Sequence, residues 1–485
     1  MDGPLSDQPG VAVLGGGPAG LTAAHVLASR GVPGAVYEAD GAVGGIAKTV
    51  EFDGYRFDLG GHRFYTKLRP VQRLWEETLG DEFLVRSRMS RIYYGGRLFN
   101  YPLRAQDVFK GLGVVESARC ALSYVRWRRR LRHHEPANFE EWVTLHFGRR
   151  LYDAFFRSYT EKVWGIPGSE IKAEWAAQRI QDFSLWAALL GILGVRRGHA
   201  PTLIEEFHYP RLGPGQMWEE LASSVSERGV PVHLNARAES IAHSAGRVEA
   251  ITIRTDAVEH ELGVEGAISS IPLSDLVLSL DPTAPEDVRS AARRLRYRAL
   301  CLVAVMTDQA EPFPDNWIYV HDPRVRAGRV QNFGAWSPDL VRDGSTCLGV
   351  EYFCFEDDDI WAMDSDAAVE LAISELVKLG LVDPKRVTNG VKVRVPRAYP
   401  MYDSSYREAV AVIRGYLDHF ENLVTCGRNG LHRYNNQDHS MWTAALATRN
   451  LLGGAEHDVW SVNTSGEYLE EGELSEELAG LRSLD

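Results

Sequence analysis

Residues 15–20 read Gly-Gly-Gly-Pro-Ala-Gly, with Gly15, Gly17 and Gly20 at the spacing of a G-x-G-x-x-G turn and Pro18 and Ala19 between the last two. Such a turn suits a pyrophosphate. The first glycine permits the sharp exit from a strand, the second lets backbone approach the phosphates, and the third lets a helix pack closely on the strand. The ligand's negative charge then meets the free N–H groups and the positive dipole end of that helix. Glu38 follows at close to the roughly 20-residue spacing of an acid that bonds a ribose 2'-hydroxyl. A carboxylate there repels a 2'-phosphate, which disfavours NADP as the ligand of this site. Without ligand, the same residues would make only a glycine-rich turn.

A second set of glycines extends the reading. Gly44-Gly45 comes six residues after Glu38, and GYRFDLGGHRF places Gly60-Gly61-His62-Arg63 at the end of a further hairpin. Repeated close backbone approach is what a longer cofactor with a ribityl chain and a tricyclic ring needs, so FAD is preferred to NAD. Gly44, Gly45, Gly61, His62 and Arg63 join the expected cofactor site. His62 either bonds the flavin or is satisfied by backbone in its hairpin; the preceding glycines favour the flavin.

The run E-x5-GG followed by G-x-x-F-D-x-GG-H resembles the flavoprotein superfamily that includes protoporphyrinogen oxidase, monoamine oxidase and UDP-galactopyranose mutase. Further segments are most similar to the mutase. Gly61-His62-Arg63-Phe64 resembles its segment beside the flavin, Tyr159-Thr160-Glu161-Lys162-Val163-Trp164-Gly165 its Y-T-x-K-x-W-G run, and Arg179-Ile180 its Arg-Ile pair. Ala398-Tyr399-Pro400 resembles its Y-P segment, and Cys426 to Gly430 with Tyr434 and Asp438 its run closing over the flavin. Two departures stand out. QDFSL follows Arg179 where the mutase pattern carries a second, diphosphate-holding arginine, and HYPRLGPGQMWEELA at 208–222 equally resembles the oxidase branch.

The resemblance implies an FAD-dependent enzyme that isomerises an NDP-hexose between pyranose and furanose, redox-neutrally, through a flavin N5–sugar adduct on reduced FAD. NADPH or NADH would be the external reductant. The departing diphosphate needs cations and hydroxyls, for which Arg179, Arg329, Tyr399 and Tyr434 are candidates, with His62 beside them. Arg428, Tyr434 and Asp438 are expected at the cofactor, Arg428 on its phosphate or ribityl chain. Trp164 either stacks on a ring of the ligands or packs in the core. The alternative is an FAD-dependent oxidase or dehydrogenase acting on a sugar, amine or biosynthetic intermediate.

These residues need elements to hold them. Val11 to Leu14 reads as a strand, Leu21 to Ser29 as a helix and Gly34 to Glu38 as a second strand, half of a doubly wound unit. From about 96 to 200 the pattern is helical, through ARCALSYVRW, EEWVTLHF and AEWAAQRIQDFSLWAALL. Past 210, strands return at 232–234, 238–241, 248–253 and 267–271. A second strand-rich block runs from about 297 to 400, and SMWTAALATRNLLGG forms a closing helix. The expected class is α/β. A Rossmann-like FAD-binding domain (1–95, 205–275 and 415–465) is interleaved with a helical domain (96–204) and an antiparallel β-sheet substrate domain (276–414), and a mobile acidic tail follows (466–485).

Bulk properties set the limits. The 485 residues, 45% apolar and 25% charged, can bury a large core without disulfides or metal. Five scattered cysteines form no Cys-x-x-Cys pair, no His/Glu cluster has metal spacing, and a reducing cytoplasm is expected. The net charge of −13 disfavours nucleic acid and anionic membranes. The longest apolar stretch, LWAALLGILGV at 185–195, is too short to span a bilayer. The basic run RWRRRLRHHE at 126–135 reads as a solvated helix face. The expected partner is a small molecule, a nucleotide sugar, with a homodimer as an admissible assembly.

Overall fold

The computed structural model of the chain describes residue 5 and residues 10–101, 111–131, 134–173, 206–256, 258–453, 456–462 and 483–484. Its N-terminal unit is β1 (Val11–Leu14), α1 (Pro18–Ser29) and β2 (Gly34–Tyr37). Both strands are buried throughout, as a continuous apolar run requires when a parallel sheet is covered on both faces. The helix begins three residues before the apolar periodicity suggests. Proline lacks only an N–H that the first turn leaves unbonded, so Pro18 can open it.

β1 lies at the centre of a five-stranded parallel sheet, between β2 and Gly266–Ser269. Val232–His233 extends the sheet beyond β2, and Leu423–Thr425 pairs with Gly266–Ser269. One sheet thus draws strands from four distant stretches of chain. The last helix, Gln437–Leu452, packs on α1, and Met441, Trp442 and Ala444 to Ala447 from it join one core with β1 and β2.

A four-stranded sheet follows, in which Ala236–Ser244, Arg247–Thr255 and Val258–Gly263 form a meander and Leu280–Asp281 pairs along its edge. The larger sheet has seven strands, in the order Val387–Pro400, Tyr297–Thr307, Thr346–Cys354, Arg329–Asn332, Trp317–Val320, Ser90–Tyr94 and Arg97–Asn100. All its pairings are antiparallel except the parallel one between Trp317–Val320 and Ser90–Tyr94. The helix Ser365–Leu379 covers one face of it. The other face packs on the hairpin Thr49–Phe52 and Tyr55–Asp58.

The helical pattern expected from residue 96 begins later. Arg97–Asn100 is a strand, returning along Ser90–Tyr94 through Gly95 and Gly96 at φ 58° and 79°. Two consecutive positive-φ residues make the tight turn whose twist matches a hairpin, and only glycine takes that turn without strain. Beyond it come the helices Val114–Arg130, Phe139–Phe147 and Arg157–Trp164. The apolar stretch at 185–195 and the acidic tail up to residue 482 lie outside the described residues. Among the described residues, no helix is long and apolar enough to cross a membrane.

Candidate active site

The turn between β1 and α1 has the stereochemistry expected of a phosphate cradle. Gly15 sits at φ 98° and its N–H donates to the Tyr37 carbonyl at 2.9 Å. A Cβ on Gly20 would stand 1.8 Å from the Gly15 carbonyl oxygen, so no side chain fits there. Gly17 differs: its φ is −80°, and a Cβ would have no protein atom nearer than 3.8 Å. Protein sterics therefore do not require glycine at 17. The space a side chain would take is open, at the N-terminus of α1, where a phosphate belongs.

Glu38 lies at the end of β2 beside this turn. Its carboxylate accepts from the Gly16 N–H at 2.6 Å and the Asp40 N–H at 2.8 Å. Burial raises its pKa, and these two N–H groups oppose the rise. Each oxygen keeps a lone pair for a ribose hydroxyl. The second glycine pair packs on the first, with the Gly44 N–H donating to the Gly16 carbonyl at 2.9 Å. Gly45 faces the cavity below, as do Gly15, Gly17, Pro18 and Ala19, whereas Gly20 and Gly44 stand behind its wall.

One cavity of about 1070 Å³ runs from this cradle to Tyr159 and Tyr319. It is at or above the upper range of ordinary small-molecule sites, which leaves room for a dinucleotide and a second ligand. Gly61, His62, Arg63, Arg428, Tyr434 and Asp438 all line it, together with Arg329 and Tyr399. Of the expected site residues, Arg179 lies outside the described residues.

His62 is half-buried at the cavity wall, and its Nδ1, itself buried, has no hydrogen-bond partner. Burial pushes its pKa down to about 4, helped by the charges of Arg329 and Arg428 and opposed by the Gly60 backbone. It is therefore a neutral imidazole at neutral pH, with a polar atom available to a ligand. Asp438, two residues past the N-cap of the last helix, pairs with His439 at 3.1 Å. Burial opposes its ionisation, but His439 and the Thr66 hydroxyl outweigh that and hold its carboxyl below the usual range.

The far end of the cavity is built by the seven-stranded sheet. Arg329 and Glu351 face each other across neighbouring strands, with Nη2 2.5 Å and Nε 2.9 Å from the same carboxylate oxygen. The other oxygen of Glu351 accepts from the Gln331 side chain at 2.6 Å. Arg329 Nη2 also donates to the Tyr399 hydroxyl at 3.1 Å. Tyr399 stacks on Tyr434 at 5.8 Å between centroids and 18° between planes, and the Arg428 guanidinium lies 4.0 Å from the Tyr434 centroid. Arg428 is anchored on the Ala398 and Asn435 carbonyls at 3.0 and 2.9 Å, and no carboxylate pairs with it among the described residues. Arg329 is thus neutralised by Glu351, while Arg428 stands as a cation without a carboxylate partner among the described residues; Glu356 also lines the cavity.

Two residues of the Tyr159–Gly165 segment turn out to be structural. Lys162 donates its ammonium to the carbonyls of Val320, Asp322 and Ala327 at 3.0, 2.7 and 2.9 Å, tying its helix to the sheet, and burial lowers its pKa to about 8. Trp164 is buried in the helical core with its ring 6.4 Å from Tyr434, behind the cavity wall. Sequence reasoning missed Glu351. The available signal was one acid inside the apolar strand TCLGVEYFC, since a buried carboxylate must have a partner.

The family described as flavin containing amine oxidoreductase matches residues 18–432 of this chain. A Klebsiella pneumoniae protein described as a probable UDP-galactopyranose mutase is 24% identical over 166 residues, which is 34% of this chain and 43% of that protein. The chain thus aligns with less than half the length of that curated relative. The crystal structure of a reduced UDP-galactopyranose mutase superposes with a TM-score of 0.80 at 22% identity, covering 93% of this chain and 96% of the other. A putrescine oxidase bound to putrescine gives a TM-score of 0.59 at 16% identity, covering 90% and 98%. Matched over most of its length, the chain belongs to the flavin containing amine oxidoreductase family and has a UDP-galactopyranose mutase-like fold.

Proposed function

We propose that the protein is an FAD-dependent mutase that interconverts the pyranose and furanose forms of a nucleotide sugar. The observation that carries this reading is Arg428, a cation without a carboxylate partner among the described residues, held beside Tyr399 and Tyr434 in the same cavity as the glycine cradle. The adenine dinucleotide would lie along Gly15 to Gly20 and Glu38, and its ring end would come to Gly61 and His62. Residues 1–95, 205–275 and 415–465 would serve this binding.

When bound in reduced form, FAD would supply a nucleophile for the anomeric carbon; NADH or NADPH would keep it reduced. The protein's own part is electrostatic. Arg428, with no carboxylate to neutralise it, and Arg329 would hold the departing diphosphate, while the Tyr399 and Tyr434 hydroxyls donate to its oxygens. Neutral His62 can accept or donate a hydrogen bond without adding charge.

Purified protein, kept anaerobic and titrated with dithionite, is offered a set of nucleotide sugars while flavin colour and product ring size are followed. Turnover should appear only after reduction and without oxygen uptake. An oxidised enzyme that turns over equally fast would sink the reading.

Glu351 favours a second reading, an FAD-dependent oxidase or dehydrogenase. Its carboxylate already neutralises Arg329, so less charge is free for a diphosphate. In that case a substrate would bleach the flavin by itself under anaerobic conditions.

A further inference from the structure

The helix Val114–Arg130 has two unlike sides. Cys120 and Tyr124 are buried, against Phe139–Phe147 and the turn that follows. At about 100° per residue, Val115, Ala118, Leu122, Val125, Arg126 and Arg129 project from the opposite side. Among the described residues, the three most exposed large apolar side chains all belong to this helix: Leu122 at 71%, Val115 at 68% and Val114 at 67%. Val125 is a fourth, at 40%. A soluble surface carries single exposed aliphatic residues routinely, but a stripe of them over three turns of one helix calls for a contact.

The charges on this side are equally one-sided. Arg126 and Arg129 have no ion-pair partner among the described residues, and Arg130 lies over the Trp127 ring at 5.2 Å. The helix has a single acid, Glu116, which is engaged by Arg150 and Arg119. This concentration of unpaired guanidinium stands in a chain whose net charge is −13.

We propose that the outer face of Val114–Arg130 docks on an anionic lipid bilayer surface, seating Val115, Leu122 and Val125 among the acyl chains and Arg126, Arg129 and Arg130 among the headgroups. Charge complementarity selects this occupant. A second copy packed helix on helix would set its arginines against arginines if parallel, or on the aliphatic Val115 and Leu122 if antiparallel, and the one acid of the helix, Glu116, is already engaged by Arg150 and Arg119. Anionic headgroups above an apolar layer instead match both features of the face at once. The enzyme would thus be peripheral, held by one helix face, with the body of the fold in water. The proposal departs from the expectation of a merely solvated basic face and from the inference from net charge, because binding follows the local field.

The test is co-sedimentation of the full-length flavoprotein with vesicles of phosphatidylcholine alone and of phosphatidylcholine mixed equally with phosphatidylglycerol. The protein should pellet with the anionic vesicles, remain in solution with the neutral ones, and be released as salt is raised. Arg126→Glu/Arg129→Glu and, separately, Leu122→Glu should each lower the bound fraction by about tenfold or more, with flavin content and turnover unchanged. Equal binding by parent and variants, or none to anionic vesicles, would overturn the proposal. So would a concentration-dependent dimer in sedimentation velocity that Leu122→Glu abolishes, because the face would then belong to a second copy.

Discussion

The guanidinium of Arg428 lies 4.0 Å from the ring centroid of Tyr434, and that ring stacks in turn on Tyr399. An arginine held by backbone carbonyls and by the rings of both Tyr434 and Tyr399, the latter at 5.1 Å, is a cation that has lost its freedom to move. The pair brings the C-terminal segment, which reaches the five-stranded sheet, against the last residues of the long strand Val387–Pro400. The cavity's charge is thereby fixed at the place where two separately built sheets meet.

Tyr434→Phe keeps the ring beneath Arg428 and removes only the hydroxyl. If that hydroxyl meets a substrate oxygen, kcat/KM should fall by about tenfold, the cost of one hydrogen bond to a charged group. Flavin absorbance per chain should not change. Steady-state kinetics on the reduced enzyme, beside a flavin spectrum, checks both.

Gly17→Val and Gly20→Ala should fail differently. At Gly17 the backbone is in a region open to any residue and the nearest protein atom is 3.8 Å from a Cβ, so the variant should fold and lack flavin. At Gly20 the clash at 1.8 Å is with backbone, and overpacking of that kind costs about 3 kcal/mol or more. Circular dichroism melts with flavin absorbance separate the outcomes; stoichiometric flavin in Gly17→Val would contradict the phosphate placement.

Glu351→Gln leaves the half-buried Arg329, whose side chain is 18% exposed toward the cavity, without its counter-ion. Removing one partner of a fully buried pair costs about 3–5 kcal/mol, and because water reaches Arg329, denaturant melts should show a smaller loss. If Arg329 holds an anion, that anion restores part of the loss. Added nucleotide diphosphate should therefore raise the midpoint of the variant more than that of the parent.

Three histidines with lowered pKa values set an acid limb. His62 and His432 are pushed down to about 4 and His321 to about 3, in each case chiefly by burial. The unfolded chain takes up these protons near 6.5 while the folded one refuses them, so each histidine's contribution is whole above pH 6.5 and is lost as pH falls toward 4. For His62 the loss is on the order of 3 kcal/mol. Asp58 works in the opposite sense: burial raises it to about 7 against the hydroxyls of Tyr209 and Thr49, so its contribution is greatest below about pH 4 and fades as pH rises through 7. Melting temperatures from pH 7 to 5 should show a shallower acid limb in His62→Gln than in the parent.

The local geometry of the glycine turn was legible in the sequence. β1, the glycine turn, α1 and β2 are contiguous, and their geometry depends on backbone stereochemistry that a few residues carry by themselves. Gly15 needs a positive φ and Gly20 admits no Cβ, whatever the rest of the chain does. The Gly95-Gly96 turn carried the same kind of local signal, and the helical reading from residue 96 passed over it. What only the tertiary structure decided is the far end of the cavity. Glu351 meets Arg329 because two antiparallel strands pair in one register, and a strand's alternating pattern shows which face is buried but not which strand lies beside it. The role of Lys162 was likewise undecided until the carbonyls of another segment were found to surround its ammonium. Local geometry is written in the residues that adopt it, whereas charge pairing and cavity shape depend on which distant segments meet, and that is settled by burial across the whole fold.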